Sequence, residues 1–220
     1  MKKTIAVFLV MAIALTAGCF AQTVTEPVQM AIAAVDGYDA TTIDKLAMKV
    51  QTPQAWICLD PAVEQTDEMK AILEKAKMDQ AMIERLKSLS MAYFFDTEHM
   101  TDSFVANFNV LSSDAINTSQ NNLLSGLQRV KKAFENQYSA HPYKNFKWVV
   151  EPAGTVLGNN YFIVMVANYT FEGQDMTNCQ AMTIYNGKSY TFTYAALQQM
   201  YSEEMAAAFE KVLETVEFIK

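Results

Sequence analysis

Apolar residues recur at spacings of three and four in three parts of the chain, which is the period of a helix with one buried face. These segments run over residues 67–88, 119–141 and 202–216. The first contains a break near residue 78, and the last opens with Ser202, a residue type that caps helix N-termini. The pattern therefore predicts three helical segments, the first of them interrupted.

Other apolar runs are shorter and rich in aromatic and β-branched residues, as strands are. They lie at residues 43–50, 56–59, 91–95, 104–111, 146–157, 161–171, 176–185 and 188–194. Asn186-Gly187 separates the last two runs and favours a two-residue hairpin, because both turn positions need positive φ. The run 161–171 is apolar at both parities in its first half, which predicts a central strand covered on both faces.

The order of these elements predicts the fold class. Strands joined by short turns occur with grouped helices between them, which is typical of α+β proteins. A central strand that is buried on both sides needs helices on both faces of its sheet. We therefore expect one domain over residues 31–220, a three-layer αβα sandwich with an antiparallel sheet of about six strands.

The beginning of the chain has the pattern of a secretory signal peptide. Two lysines open it, an apolar run follows from Ile5 to Leu15, and small residues lead up to Cys19. The apolar run of ~11 residues is too short to span a bilayer, which takes ~20. Residues 15–19 resemble the lipobox of bacterial lipoproteins, in which the peptidase cuts before the cysteine and the thiol receives a diacylglyceryl group. Thr16 stands where lipoboxes usually have leucine.

The lipobox resemblance implies a signal peptide at residues 1–18, a lipid on Cys19 and a tether over residues 19–30. Such a lipid holds a protein at a membrane, here outside the cytoplasm, through burial of its methylenes at ~0.8 kcal/mol each. Two alternatives stay open. Ordinary signal peptidase could cut after Ala21, which would release a secreted protein beginning at Gln22, or Cys19 could lie in an uncleaved apolar anchor.

Composition and charge narrow the class of partner. Hydrophobic residues make up 51% of the chain and charged residues 19%, as in ordinary globular domains. The net charge is −7, and the signal contributes Lys2 and Lys3 without an acid, so the mature chain carries −7 − 2 = −9. An acidic chain repels the phosphate backbone, and we therefore expect no nucleic-acid partner.

Cys58 and Cys179 remain once Cys19 is assigned to the lipid. Outside the cytoplasm two cysteines can pair, and a disulfide between these two would close a long loop and stabilise the fold by ~4 kcal/mol. Two buried thiols that pack as small apolar side chains are the alternative. The two histidines, His99 and His141, stand isolated, so we expect no metal site and no cofactor.

One segment combines residue types that catalysis uses. Between the runs 91–95 and 104–111 we expect a loop that holds Glu98, His99 and Asp102, an acid–histidine combination. No serine or cysteine nucleophile motif accompanies it, and the chain has only seven glycines and no glycine-rich phosphate loop. We therefore expect no enzymatic activity from this sequence.

Several segments, taken in order, resemble the PsbP-like and DcrB-like group of extrinsic photosystem proteins and bacterial envelope lipoproteins. An early strand ends in a Pro–Trp stretch at 53–56, and an Asn-rich strand follows at 104–110. A long helix, a meander with the hairpin 185–190 and a closing helix that ends near Phe218 complete the order.

The PsbP-like resemblance covers about residues 43–220 and departs from the group in the long helical stretch 67–88. It implies a non-enzymatic accessory or partner-binding protein of the cell envelope. Aromatic residues near the last hairpin form the candidate partner surface, namely Tyr190, Tyr194 and Tyr201. Two alternatives remain. One is a lipoprotein that binds a small solute, and the other is an envelope hydrolase whose site residues come together only in the folded chain.

Overall fold

A computed structural model describes residues 28–59, 65–89, 91–115 and 123–219. The strands are β1 (Tyr38–Ile43), β2 (Met48–Pro53), β3 (Trp56–Leu59), β4 (Met91–Met100), β5 (Val105–Asp114), β6 (Tyr143–Leu157), β7 (Asn160–Phe171), β8 (Gln174–Tyr185), β9 (Lys188–Leu197) and β10 (Glu217–Phe218). The helices are α1 (Asp67–Lys75), α2 (Gln80–Ser88), α3 (Leu127–Ser139) and α4 (Glu203–Glu214). The predicted signal peptide and Cys19 lie outside the described residues.

Side-chain caps define three of the helix starts. Asp79 accepts a hydrogen bond from the Met82 N–H at 2.9 Å, which starts α2 and confirms the predicted break. Ser202 accepts one from the Met205 N–H at 3.3 Å and caps α4, as predicted. Thr66 caps α1 in the same way. Residue 119, the predicted start of α3, lies outside the described residues, and the α-helix itself begins at Leu127.

Seven strands form one antiparallel sheet in the order β3-β4-β5-β9-β8-β7-β6. This is one strand more than expected, within the predicted α+β class. β6 runs without interruption through Pro152 but with irregular register, and as an edge strand it tolerates a proline there. The Asn186-Gly187 turn has φ of 48° and 73°, as the two-residue hairpin requires.

A second, three-stranded sheet has the order β1-β2-β10. The pattern of apolar residues did not predict it, because β10 is only two residues long and β1 is mostly polar. Its core residues pack on the large sheet: the Phe218 ring stacks on Tyr185 at 4.6 Å, and the Tyr190 hydroxyl donates a hydrogen bond to the Leu46 carbonyl at 3.2 Å.

The large sheet lies between two covering layers. Its front face, defined by Phe108 and Tyr194, is covered by α4 through Phe209 and by the three-stranded sheet. Its back face is covered by α1 and α2 over β3, β4 and β5, and by α3 over β6, β7 and β8. The molecule is therefore a three-layer arrangement, and β7 is buried on both faces at Phe162 and Ile163.

Within the described ranges, every helix is too short or too polar to cross a bilayer.

Candidate functional site at the hairpin end of the sheet

An open groove of about 780 Å³ lies at one end of the large sheet. We call it the hairpin groove. It is lined by Thr101, Ser103, Gly173, Gln174, Asp175, Leu197, Gln198 and Gln199. Three pieces of chain supply these residues: the β4–β5 turn, the β7–β8 turn and the segment that follows β9. Uncharged polar side chains predominate, with one carboxylate among them.

Short backbone hydrogen bonds shape the walls of the hairpin groove. The Thr101 N–H donates to the Phe104 carbonyl at 2.7 Å and closes the β4–β5 turn. The Gln198 N–H donates to the Asp175 carbonyl at 2.9 Å and fixes the segment after β9. The Asp175 carboxylate accepts a hydrogen bond from the Thr170 hydroxyl at 2.7 Å. The groove is thus built on turns that the sheet itself holds in place.

A buried carboxylate lies on the front face, five residues before Thr101. Asp96 is 2% exposed and accepts hydrogen bonds from the Tyr194 hydroxyl at 2.6 Å, from His99 Nδ1 at 2.8 Å and from the Glu98 N–H at 3.1 Å. We call these residues the Asp96 network. The sequence pattern placed His99 in a loop with Glu98 and Asp102, but β4 continues to Met100, and the acid that His99 contacts is Asp96.

The Asp96 network keeps the Tyr194 hydroxyl protonated. Burial raises the pKa of Tyr194 far above its usual range, and the negative charge of Asp96 raises it further, so the hydroxyl remains a donor. The Trp56 ring stacks on Tyr194 with 5.0 Å between centroids and shields it. Among the described residues, no serine, threonine or cysteine side chain hydrogen-bonds His99. The arrangement can therefore orient the His99 ring, but it does not form a nucleophile–base pair.

Cys58 and Cys179 do not form the candidate disulfide. Opposite residues on successive strands connect them in one row, from Cys58 on β3 through Phe94, Phe108 and Tyr194 to Cys179 on β8. Four strand spacings therefore separate the two cysteines. At ~4.8 Å each this is about 19 Å, whereas a disulfide requires Cα atoms within ~7 Å. The pairing is therefore excluded in this fold.

The alternative of two buried thiols holds for Cys179 only, because Cys58 is exposed. The Cys179 thiol donates a hydrogen bond to the Tyr201 hydroxyl at 3.2 Å. Burial raises the pKa of Cys179 to about 11, so its thiol stays protonated at neutral pH.

The candidate partner surface of three tyrosines is not a surface in the structure. Tyr190 and Tyr194 are 2% and 0% exposed, and only Tyr201 is partly accessible. Both buried rings point to the front face, which α4 and the three-stranded sheet cover. The apolar pattern predicts a run at 43–50, which overlaps β2, but not β1 or β10, and without the three-stranded sheet these rings are expected to be accessible.

A feature that sequence reasoning missed lies at the opposite end of the sheet. Gln29 donates a hydrogen bond to the Asn160 amide oxygen at 3.0 Å and accepts one from the Phe218 N–H, also at 3.0 Å. Asn159 donates to the Met30 carbonyl at 2.7 Å. Residues 29 and 30, assigned to the tether from sequence, therefore contact the domain at the β6–β7 turn. Only the polar Asn-Asn pair of this turn hints at the contact in the sequence.

Among the described residues, no group of three or more His, Cys, Asp or Glu side chains is placed to hold a metal ion.

Comparison with known proteins places the fold. No protein-family model matches the chain, and no curated protein matches it. The solution structure of cyanobacterial PsbP (CyanoP) from Synechocystis sp. PCC 6803 matches with a TM-score of 0.52, at 12% identity, over 84% of this chain and 94% of that one. The fold is PsbP-like.

A second PsbP-like match is the crystal structure of LpqN of Mycobacterium tuberculosis, which is described as involved in cell envelope biogenesis. It has a TM-score of 0.51 at 9% identity and covers 89% of this chain and 93% of that one. At such low identity the two matches establish the PsbP-like fold alone. They confirm the fold group expected from the order of the elements.

Proposed function

We propose that this chain is an exported protein, held at the cell envelope by a lipid on Cys19, that binds a protein partner without catalysis. The signal pattern and the lipobox at residues 15–19 support export and anchoring. The PsbP-like fold supports an accessory role, since LpqN, of the same fold, is described as involved in cell envelope biogenesis.

The observation that carries the proposal is the placement of the tether and the hairpin groove at opposite ends of the sheet. The tether docks at the β6–β7 turn, beside Asn159 and Asn160. The groove includes the β7–β8 turn, at Gly173. β7 connects the two ends, and its eleven steps from Asn160 to Phe171 rise ~3.4 Å each, or about 37 Å in all. A protein anchored at one end therefore directs the other end away from the membrane.

The reach of the tether also favours this orientation. The chain between Cys19 and Val28 has nine residue steps, which span at most about 30 Å when fully extended. The tether end of the domain is therefore held near the membrane surface, and the hairpin groove is the part of the molecule most accessible to a partner in the surrounding envelope.

The chemistry of the hairpin groove suits a polypeptide. Gln174, Gln198 and Gln199 offer side-chain amides, and Thr101 and Ser103 offer hydroxyls, so donors and acceptors are both available to peptide groups. Asp175 adds one negative charge, and the mature chain carries −9 in total. We therefore propose a partner segment that is neutral or basic and rich in exposed backbone or amide groups.

In-cell photocrosslinking from two positions tests the proposal. A photoreactive residue at Ser103, an exposed position in the hairpin groove, is compared with one at Lys188, the exposed first residue of β9 at the tether end. We expect Ser103 to crosslink to one discrete envelope protein and Lys188 not to do so. Equal crosslinking from both positions, or none from Ser103, would contradict the proposal.

A further inference from the structure

Seven polar side chains are buried on the back face of the three central strands, and five of them are the most deeply buried. These five are Asn107 and Asn109 on β5, Thr193 on β9, and Asn178 and Gln180 on β8, and each is between 1% and 3% exposed. We call them the polar strip. Central strands under a helical layer normally carry apolar side chains there, so the strip is an exception that needs a physical reason.

The strand register brings the polar strip into one compact patch. Asn109 lies opposite Thr193, and Thr193 lies opposite Gln180, so these three form a continuous row across three strands. In the next row Asn107 and Asn178 flank the small Ala195. Directly opposite side chains have Cβ atoms ~4.5–5.5 Å apart, so the row of three spans about 10 Å.

Part of the hydrogen-bonding capacity of the polar strip is used within the protein. The Asn178 amide N–H₂ donates to the Tyr138 hydroxyl of α3 at 3.0 Å, and that of Asn109 donates to the Asn107 amide oxygen at 3.4 Å. Four buried atoms have no hydrogen-bond partner within the described part of the chain. They are Asn109 Oδ1, Asn178 Oδ1, Gln180 Nε2 and Thr193 Oγ1.

The four unpartnered atoms lie in one patch, and they do not contribute to the stability of the fold. Buried side-chain polar atoms nearly always have a partner, and one without a partner destabilises the fold. Every residue of the continuous row, from Asn109 through Thr193 to Gln180, contributes such an atom. The set combines amide acceptors, an amide donor and a hydroxyl that can do either, which is the complement of a ligand carrying both kinds of group.

The polar strip lies along a seam in the back layer. On one side, α1 and α2 pack with β3, β4 and β5 as a separate apolar cluster that includes Phe95 and Val105. On the other side, α3 contacts β7 and β8 through Tyr138. The four atoms are buried in this structure, so a ligand can reach them only if the back layer opens.

We propose that the polar strip is the binding site of a small uncharged ligand that carries both hydroxyl and amide groups. Every residue on the back face of β5, β8 and β9 is uncharged, so a charged ligand would be buried there without a counter-charge from these strands. This proposal is independent of the hairpin groove, which lies at the end of the sheet and takes a protein partner.

A pair of threonine substitutions tests whether the strip is unpartnered. Thr193→Val removes a buried hydroxyl that has no partner in the strip, whereas Thr183→Val, on the front face of β8, removes one that donates to the Tyr161 carbonyl at 2.7 Å. We expect Thr193→Val to raise the melting temperature of the full mature chain and Thr183→Val to lower it. A lower melting temperature for Thr193→Val would show that its hydroxyl is already satisfied, and would overturn the proposal.

Binding is tested with two neutral probes. N-acetylglucosamine carries hydroxyl and amide groups, and N-acetylalanine amide carries amide groups alone. Saturation-transfer NMR on the mature chain should show binding of N-acetylglucosamine, and Gln180→Met combined with Thr193→Val should reduce that signal at least tenfold. Glucuronate, which is charged, serves as the control and should not bind. Absence of saturation transfer to N-acetylglucosamine, stronger transfer to N-acetylalanine amide, or equal transfer in the double variant would overturn the proposal.

Discussion

At the scale of single residues, Asp96 is a buried carboxylate that accepts three hydrogen bonds. It lies on β4 and accepts hydrogen bonds from the Tyr194 hydroxyl on β9, from His99 Nδ1 and from the N–H of Glu98, two residues further along the chain. A buried carboxylate is stable only when such donors surround it. The network therefore serves to join two strands that are separated in the sheet by β5.

Asp96→Asn should weaken the fold, because the amide removes the charge that strengthens the hydrogen bonds from Tyr194 and His99. Hydrogen bonds to charged groups contribute about 1.5–3 kcal/mol each, and we expect a loss in this range in the free energy of unfolding. Urea denaturation measures it. Asp102→Asn, at an exposed position of the β4–β5 turn, is the matched control and should stay within about 0.5 kcal/mol of the parent.

The two cysteines should differ sharply in reactivity. In a Cys19→Ser background at pH 8, a thiol reagent should modify the exposed Cys58 quickly and Cys179 only after unfolding, because burial raises the pKa of Cys179 to about 11. Equal modification rates for both thiols in the folded protein would contradict the burial of Cys179.

The same pKa shift gives a pH dependence of stability. Above the ordinary thiol pKa of 9.0 the unfolded chain loses this proton, while the folded protein keeps it until about pH 11. The folded state then binds more protons than the unfolded state, so stability falls as pH rises through this window. Cys179→Ala should make the decline between pH 9 and 11 shallower, as measured by urea denaturation across that range.

The contacts of single residues were the part of the structure least well predicted from the sequence. It identified His99 as a residue with an acid nearby, but named the wrong acids, since it ended the strand at residue 95 and the strand continues to Met100. The polar strip had a sequence signal in the Asn residues of the run 104–111. Its meaning depends on β8 and β9 lying beside β5, which is a non-local pairing that periodicity does not encode.

At the scale of elements, the contact between the β6–β7 turn and the end of α4 is unusually tight. Gly158 has φ of +57°, and a Cβ at this position would lie 2.1 Å from the Glu214 carbonyl oxygen. A backbone oxygen at the end of a helix cannot yield as a flexible side chain does. Only glycine therefore allows the turn to approach the helix this closely.

Gly158→Ala should destabilise the protein by about 3 kcal/mol or more, because steric overlap adds to the cost of the left-handed conformation. Gly173→Ala is the matched control. Its φ is +84°, but a Cβ there would meet nothing within 4 Å, so only the conformational cost of about 1–2 kcal/mol applies. Denaturation midpoints of the two variants give the comparison, and equal losses would contradict the close approach of the turn to α4.

Elements with a local chemical signal were predicted well. Ser202, the interruption before α2 and the Asn186-Gly187 hairpin each follow from the preference of a few adjacent residues for one backbone conformation. The three-stranded sheet was missed for the opposite reason. β10 is two residues long and is ordered by its pairing with β2, far away in sequence, so no local pattern marks it.

At the scale of the whole molecule, the order of elements was sufficient to predict a layered α+β domain and its PsbP-like fold group. The front layer differs from the expectation, because the three-stranded sheet joins α4 there and the two elements cover Tyr190 and Tyr194 of the candidate partner surface. Residues 29 and 30 contact one end of the sheet and the hairpin groove lies at the other, an arrangement that follows only from the assembled sheet.

Intact mass spectrometry of the protein extracted from the cell envelope tests the central claim, lipid anchoring of an exported domain, most directly. We expect a chain that begins at Cys19 and carries the added mass of acyl groups, and we expect Cys19→Ser to move the protein out of the membrane fraction. An unmodified chain beginning at Gln22, or an uncleaved chain beginning at Met1, would contradict it.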